Sequence, residues 1–288
     1  MGDALITIVT PCLNDREFLP AALQSVLRQD YAELEYVVVD GGSTDGSVEV
    51  IREAEDKLAF WVSEPDSGQY AAVNKGFARS TGEIMAWLNS DDMYCHTALR
   101  TVAAIFAECP QVEWLTTSTK MNWTVDGGAT DPQFTPGYTR RWFLSGEHNG
   151  LAGRYRGVIQ QESTFWRRSL WDRAGGRLDE RYRLAGDFEL WTRFWNHAVL
   201  YATSVPLGGF RCRPGQRSED AERYQAEARQ ILALNTHQVQ TPAQCMRQRD
   251  LWHRAKYEAL TWLRDSRGHY VRYDPQTRSW HTSSRILV

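Results

Sequence analysis

The sequence predicts an α/β protein, with a mostly parallel sheet, helices on both faces of the sheet and a helical C-terminal extension. Short apolar runs alternate with amphipathic stretches over the first 120 residues, which is typical of parallel strands joined by crossover helices. Acidic residues directly follow two of these apolar runs. The pattern changes after about residue 112, where ten of the 12 tryptophans lie and regular periodicity weakens.

Four strands are predicted in the first part of the chain, each a short apolar run bounded by turn residues. They are Leu5–Thr10, Tyr36–Val39, Phe60–Ser63 and Ile84–Leu88. The helices predicted between them are one capped by Asn14 or Asp15, one over Ser47–Lys57 and one over Gln69–Ser80. Ligands of such a sheet bind outside the carboxyl ends of its strands.

The rest of the chain is less regular. Residues 122–160 are rich in Gly, Thr and aromatic residues, which predicts long functional loops, and helical spacing returns over 162–200. Residues 219–266 predict two helical stretches, of which the second places Leu251, Ala255, Ala259 and Trp262 on one face. Two short runs, His269–Tyr273 and Arg278–His281, predict a small hairpin.

Composition narrows the class of protein. The 288 residues are 42% hydrophobic and 24% charged with a formal net charge of −3, which excludes a disordered chain and argues against a nucleic-acid partner. The five cysteines are widely spaced and include no CxxC pair, which favours a reducing cytosol over disulfides or structural zinc. We recognise no signal peptide and no apolar run long enough to span a membrane, so a cytoplasmic location is expected.

Two acidic clusters end predicted strands and are expected to face the ligand crevice. Asp40 begins the segment DGGSTDG, and a carboxylate there can accept a hydrogen bond from a base or a ribose hydroxyl. Asp91 and Asp92 end the segment NSDD and suit a hard divalent ion that also holds phosphate oxygens. Either cluster alone is equally well explained by turn and helix capping. Both together favour a site for a nucleoside diphosphate.

Several segments resemble motifs of the inverting glycosyltransferase family 2, whose members have the GT-A (Rossmann-like) fold. They are Thr10–Asn14 (TPCLN), Val39–Ser47 (VDGGSTDGS), Ser63–Gly76 (SEPDSGQYAAVNKG), Trp87–Asp92 (WLNSDD) and Gly186–Arg193 (GDFELWTR). The resemblance implies a GT-A domain over residues 1–214, with a nucleotide-binding half at 1–112 and an acceptor-binding half at 113–214. Residues 215–288 would then be a mainly helical C-terminal extension.

The resemblance also implies a role for each matched position. Asp187 would be the general base, Asp91 would bind Mn²⁺ or Mg²⁺, and Asp40 would bind the base, most often uracil. The residues implied to bind the nucleotide sugar are Pro11, Asn14, Asp40, Asp66, Asn74, Lys75, Asn89, Ser90 and Arg211. An inverting transfer needs a carboxylate to accept the proton of the acceptor hydroxyl and a cation to stabilise the departing diphosphate. Activity that depends on a divalent metal is therefore expected.

Two positions depart from the family pattern. Asn89 stands where the family has the first aspartate of its DxD metal motif, and Arg213 stands where the family often has histidine. Both changes remove a metal ligand. They are the only support for an alternative reading, a non-catalytic protein that binds nucleotide sugars or carbohydrates. A nicotinamide dehydrogenase is disfavoured because no GxGxxG segment follows the first strand.

The expected partners follow from the same resemblance. The expected donor is a nucleotide-diphosphate sugar, and a UDP-sugar is favoured. The expected acceptor is a glycan or lipid-linked glycan of polysaccharide biosynthesis. A small-molecule or protein acceptor is the alternative. Peripheral contact with the inner face of the membrane is one interpretation of Arg140–Trp142 and Arg154–Arg156, beside ordinary packing. Residues 215–288 are expected to cover the acceptor side or to form a homo-oligomer contact.

Overall fold

The computed structural model describes residues 3–153, 155–236 and 259–287. Its strands are β1 (Ile6–Cys12), β2 (Leu34–Asp40), β3 (Phe60–Ser63), β4 (Ile84–Trp87), β5 (Met93–Tyr94), β6 (Trp114–Thr117), β7 (Thr119–Trp123), β8 (Gln133–Phe134), β9 (Phe165–Arg167), β10 (Tyr201–Thr203), β11 (Gly208–Arg211), β12 (Arg267–Asp274) and β13 (Ser279–Ile286). Its helices are α1 (Leu19–Leu27), α2 (Ser47–Arg52), α3 (Gln69–Ala78), α4 (Ala98–Glu108), α5 (Arg140–Leu144), α6 (Arg168–Arg173), α7 (Gly186–Phe194) and α8 (Ala221–Thr236). No helix within these ranges is long and apolar enough to cross a bilayer.

The main sheet has nine strands in the order β13-β12-β10-β6-β9-β4-β1-β2-β3, and a second sheet has the order β5-β11-β7-β8. Strand β1 pairs in parallel with β2 and β4, so that Ile8 lies opposite Tyr36 and Ala86. All seven residues of β1 are buried because helices cover both faces of the sheet, which is why the strand shows no polar alternation. Only β9 and β13 run antiparallel to their neighbours in this sheet.

The four strands predicted in the first part of the chain are confirmed, with ends that agree to within two residues. The second helix is shorter than expected, since α2 ends at Arg52 and a 3-10 turn follows at Glu55–Lys57. Helix α1 begins only at Leu19, without a side-chain cap. Asn14 and Asp15 therefore do not cap it, and both side chains are left for the site.

Successive strands of the main sheet are added first on one side of β1 and then on its other side. Strands β1, β2 and β3 add outward on one side, and β4 then returns to pair with the other side of β1. Such a switch point opens a crevice beyond the carboxyl ends of the two central strands. The segments that follow β1 and β4 both carry acidic residues, so the topology brings them together.

Tryptophan side chains fill the core behind this crevice. Trp166 packs against Trp87 and Trp191 with ring centroids 5.6 and 5.7 Å apart, and Trp191 packs against Trp114 at 5.4 Å. All four side chains are at most 1% exposed. The cluster fixes helix α7 on the sheet, and it shows that Trp166 and Trp191 belong to the core and do not stack on a sugar.

The C-terminal segment differs from the expected helical extension. Helix α8 and a helical stretch at 259–265 are present, but β12 and β13 form the predicted hairpin, and β12 pairs in parallel with β10 of the main sheet. The last strands therefore complete the main sheet instead of forming a separate appendage. Sequence reasoning missed this because the partner with which a strand pairs is not encoded locally. Leu251, Ala255 and Arg154 lie outside the described residues.

The pairing of β12 with β10 can be tested on two adjacent residues of β12. Val271 is fully buried and Arg272 is exposed. Val271→Asp should destabilise the protein by about 3–5 kcal/mol, because it buries a charge without a partner. This lowers the melting temperature by on the order of 10 °C. Arg272→Asp, measured in the same thermal scan, should have little effect, and equal effects of the two variants would contradict this placement of the hairpin.

Candidate functional site

The candidate site lies at the carboxyl ends of β1, β2 and β4. The loop after β1 carries Asn14 and Asp15, the loop after β2 carries residues 41–46, and the loop after β4 carries residues 89–92. Pro11, one of the expected donor-binding residues, is buried within β1 opposite Val39 of β2. It shapes the strand end and is not open to a ligand.

Asp40 is fully buried, and its carboxylate is already satisfied by protein donors. Its Oδ2 accepts from the backbone N–H groups of Gly42 and Ser43 at 3.0 and 2.9 Å and from the Ser63 hydroxyl at 2.7 Å. Its Oδ1 accepts from the Ser43 hydroxyl. The expectation that Asp40 bonds directly to a base does not agree with this geometry. Asp40 instead fixes the loop that follows β2.

That loop is joined to the loop after β1 through Asn14. The backbone N–H of Asn14 donates to the Ser43 hydroxyl at 2.7 Å, and its Oδ1 accepts from the Thr44 N–H at 2.9 Å. Asn14 adopts a φ of +51°, a conformation that Asn tolerates better than most residues. Its exposed side chain thus sits at the mouth of the crevice, as expected of a donor-binding residue.

Asp66 lies on the other side of the same loop. Its Oδ1 accepts from the Gly68 N–H at 2.8 Å, which starts helix α3. Its Oδ2 would lie 3.0 Å from a Cβ at position 41, so Gly41 permits a close approach of the two segments. The structure therefore brings Asn14, Gly41 and Asp66 to one rim of the crevice.

Asn74 and Lys75 lie on helix α3 and contact neighbouring segments. Asn74 clamps helix α3 to the segment before α7, because its side chain exchanges hydrogen bonds with the backbone of Leu178 at 2.8 and 3.0 Å. Lys75 forms an ion pair with Glu64 at 2.8 Å. Both side chains are engaged in contacts within the protein, and the nucleotide contacts that the resemblance implied stay a prediction.

The segment after β4 joins three parts of the chain. Ser90 donates to Asp15 Oδ2 at 2.6 Å, and Asn89 Nδ2 donates to Asp92 Oδ2 at 3.0 Å. Asn89 Oδ1 accepts from Gln69 at 2.5 Å. Burial raises the pKa of Asp92 well above its ordinary value, and the nearby carboxylates of Glu162 and Asp91 add to this shift.

Two arginines from the end of β11 enter this acidic cluster. Arg211 is 2% exposed; its Nε donates to the Asp91 carbonyl at 2.6 Å and its Nη1 to the Val125 carbonyl at 2.7 Å. Arg213 donates through Nε to Asp91 Oδ2 at 2.9 Å and through Nη2 to Asp15 Oδ1 at 3.2 Å. Arg211 is thus buried and held by backbone carbonyls, with its Nη2 unpartnered among the described residues, and its contact with the diphosphate stays a prediction. Arg213 is partly exposed at the crevice.

The residues around Asp91 do not fit a tightly bound divalent cation. A hard cation such as Mg²⁺ or Mn²⁺ prefers several anionic or neutral oxygen ligands. Here the Asp91 carboxylate is paired with a guanidinium, and no group of three His, Cys, Asp or Glu side chains suited to a metal occurs within the described part of the chain. The expected role of Asp91 as a metal ligand therefore lacks a matching set of donors.

Asp187 and Glu162 form the other part of the site. Asp187 is half-buried in the first turn of α7, and its Oδ1 has no hydrogen-bond partner among the described residues. Burial raises the pKa of Asp187 to about 6 and that of Glu162 to about 7. The nearby charge of Asp187 also contributes to the raised pKa of Glu162.

Helix α8 holds the segment that leads into Asp187. Glu227 accepts the backbone N–H groups of Leu184 and Ala185, both at 2.9 Å, and that of Arg183. Partial burial acts to raise the pKa of Glu227, but these hydrogen bonds outweigh it and the pKa is lowered. Tyr70 assists, because its hydroxyl accepts the Gly186 N–H at 3.0 Å.

Sequence reasoning overlooked three of these residues as parts of the site. Asp15 was considered only as a helix cap, although its place directly after Asn14 was a usable signal. Glu162 shortly precedes Phe165–Arg167, in a segment that the resemblance places near the acceptor site, and no role of its own could be assigned to it from the sequence. Glu227 gave no signal, since it lies 42 residues from Ala185 in a helix with many exposed charges.

Comparisons with known proteins agree with the resemblance noted in the sequence. The family model for Glycosyl transferase family 2 matches residues 7–175, more than half of the chain. An uncharacterized glycosyltransferase of Mycobacterium tuberculosis is 37% identical over 90 residues, which are 31% of this chain and 34% of that protein. The match to that relative thus spans only about a third of its length. A PGL/p-HBAD biosynthesis glycosyltransferase of the same species is 29% identical over 209 residues, 69% of this chain and 73% of that protein.

Solved structures confirm the fold class. S. aureus TarS in complex with UDP-GlcNAc superimposes with a TM-score of 0.63 at 18% identity, over 90% of this chain and 72% of that chain. The mannosyltransferase PcManGT from Pyrobaculum calidifontis, in complex with GDP-Man and Mn²⁺, gives a TM-score of 0.55 at 18% identity, over 91% of this chain and 76% of that chain. The chain therefore has the mixed α/β, GT-A type of sheet.

The role of Glu227 can be tested by stability measurements. Glu227→Gln should lower the free energy of unfolding at neutral pH by about 1.5–3 kcal/mol, the value of hydrogen bonds to a charged group. Because its pKa is lowered on folding, the stabilisation is present above its ordinary pKa of 4.5 and is lost as the pH falls through the folded value. The difference between the two proteins in urea unfolding should therefore fade in acid.

Glu222→Gln, in the exposed first turn of the same helix, is the matched control and should change the free energy of unfolding by less than about 1 kcal/mol, the value of its interaction with the helix dipole. A loss that is equal for both variants, or independent of pH, would refute this role of Glu227.

Proposed function

Since this chain belongs to glycosyl transferase family 2, we propose that it transfers a sugar from a nucleotide-diphosphate sugar to a hydroxyl group, with inversion at the anomeric carbon and with Asp187 as general base. The observation that carries the proposal is the unpartnered carboxylate oxygen of Asp187 at the start of α7.

The reaction is a single displacement. The acceptor oxygen attacks the anomeric carbon as the bond from that carbon to the diphosphate oxygen breaks, and the electron pair leaves with the nucleoside diphosphate. The proton of the acceptor hydroxyl goes to Asp187. A base works best when its pKa lies near the operating pH, and a pKa raised to about 6 by burial meets this condition.

Other carboxylates near Asp187 are less suited to this role. Glu189 is bound by Arg193 through two hydrogen bonds of 2.7 and 2.8 Å. Asp92 is fully buried, with both oxygens accepting hydrogen bonds. Glu162 shares with Asp187 a carboxylate oxygen without a partner among the described residues, but Glu162 is buried, whereas Asp187 is partly exposed.

The donor is proposed to be a UDP-sugar and to enter over the rim formed by Asn14, Gly41 and Asp66. The support is the exposed polar rim of this chain together with the UDP-GlcNAc held by the TarS structure. Asp40 contributes by fixing the loop on which the uracil base of the donor would lie. The acceptor is proposed to be a glycan or lipid-linked glycan, as the family resemblance implies.

A divalent cation is not part of this proposal. PcManGT holds Mn²⁺ in its complex, but the donor set around Asp91 in this chain does not match that chemistry. The charge of the departing diphosphate must then be met by the chain's own cationic groups.

Asp187→Asn tests the assignment of the base. The variant should fold and bind UDP as the wild type does, but its transfer rate should fall by about 10²–10⁴-fold, because an amide cannot accept the proton. Since the pKa of Asp187 is raised on folding, its ionised form costs stability at neutral pH, so the melting temperature should stay equal or rise. Glu189→Gln is the matched control and should transfer at nearly the wild-type rate. Near wild-type transfer by Asp187→Asn at saturating substrates would refute the assignment.

The pH profile provides a second test. The transfer rate should rise as the pH increases through about 6, since Asp187 acts only when ionised and burial raises its pKa to about 6. Initial rates from about pH 5 to about pH 8, at saturating donor and acceptor, measure this step. The residual activity of Asp187→Asn should lack it, whereas Glu162→Gln should retain it. A wild-type profile that is flat over this range would contradict a base of this kind.

A further inference from the structure

We propose that Arg213 occupies the place of the divalent cation, so that this chain binds the diphosphate of its donor, and supports its departure, without a metal. This inference rests on the proposed function for its substrate class. It goes beyond that function by assigning the diphosphate-binding group and the independence from metal.

The first argument is the position of the guanidinium. Arg213 bridges Asp91 of the loop after β4 and Asp15 of the loop after β1, at 2.9 and 3.2 Å. These two loops meet at the switch point of the main sheet, where a ligand of this fold is expected. A cation in this position lies between the two strands that frame the crevice, which is where the charge of a diphosphate has to be met.

The second argument is that the guanidinium is held rigidly. Its carbon lies 4.8 Å from the centre of the Phe18 ring, and the backbone N–H of Arg213 donates to Gln216 at 2.9 Å. The side chains of Asp15 and Asp91 are only 8% and 14% exposed. Two partly buried carboxylates this close need a cation, and a pre-positioned Arg supplies it without the entropic cost of ordering on binding.

The third argument is that Arg213 retains free hydrogen-bonding capacity. Guanidinium carries five N–H donors, and its Nη1 has no partner among the described residues. The side chain is 24% exposed and lines a cavity of about 440 Å³ together with Asn14, Asp15, Arg16, Glu17, Phe18 and Asp45. A guanidinium can donate two parallel hydrogen bonds to two oxygens of a phosphate, so the exposed side of Arg213 is suited to bind a diphosphate.

The fourth argument is the balance of charge. Relative to the pattern that the family resemblance implies, an aspartate at position 89 and a neutral histidine at 213, Asn89 removes one negative charge and Arg213 adds one positive charge to the cluster. The two changes together add +2, which is the charge that a divalent cation would bring. A metal bound in addition would lie against a guanidinium and would have to displace it from Asp91 first.

The experiment measures the binding of UDP by calorimetry, once in EDTA and once with Mn²⁺. The wild type should bind UDP with the same affinity, within about twofold, in both media. Arg213→Ala should bind at least about tenfold more weakly in both, as expected for the loss of a charge-assisted hydrogen bond. Arg213→Lys keeps the charge and should lose less, and Arg52→Ala, on an exposed arginine that pairs only with Glu49, should match the wild type.

Two results would overturn the inference. One is a wild-type affinity that falls tenfold or more in EDTA and returns with Mn²⁺; the other is Arg213→Ala binding UDP as tightly as the wild type. If Arg213→Ala does not fold, the wild-type comparison and Arg213→Lys still decide. UDP binding needs neither acceptor nor base, so a protein that binds UDP normally in EDTA but transfers no sugar contradicts the proposed function and supports this inference.

Discussion

The buried side chain of Arg211 is the interaction on which the geometry of the site depends. It joins the end of β11 to the loop after β4 and to the turn after β7, by hydrogen bonds to the carbonyls of Asp91, Thr124 and Val125. Its backbone N–H also donates to Asp92 at 2.8 Å. A buried guanidinium needs hydrogen-bond acceptors, so these contacts determine the conformation of the acidic loop. They also place Arg213, two residues later in the chain, at the crevice.

The sequence was most informative where structure is encoded locally. The apolar runs that become β1 to β4 are buried on both faces, so their positions could be read to within two residues. The placement of Asn14 and Asp66 at the crevice followed from motifs that end these strands. The role of Asp40 could not be read in the same way, because its acceptors are satisfied by its own loop and by Ser63, which a linear motif does not reveal.

The features that depend on contacts between distant segments could not be predicted from the sequence. Arg213 meets Asp91 across 122 residues and Asp15 across 198, and no periodicity or spacing in the sequence encodes such pairs. The same holds for β12, which joins the main sheet beside β10 after the long segment that contains α8. In the sequence, Arg213 stands out only as a departure from the family pattern. Its role could be inferred only from the positions of Asp91 and Asp15 in the structure.

The proposed general base and the diphosphate of the donor need opposite electrostatic environments within one crevice. The proposed general base has to be a carboxylate in a partly dry environment, and burial raises the pKa of Asp187 to about 6 and that of Glu162 to about 7. The leaving diphosphate is an anion, so every ionised carboxylate near it opposes both its binding and its departure. Burial lessens this conflict because it favours the neutral forms of Glu162 and Asp92, but it provides no attraction. The attraction has to come from a cation fixed close to the acidic loop, and within the described residues the guanidinium of Arg213 is the cationic group that both contacts this loop and opens onto the crevice.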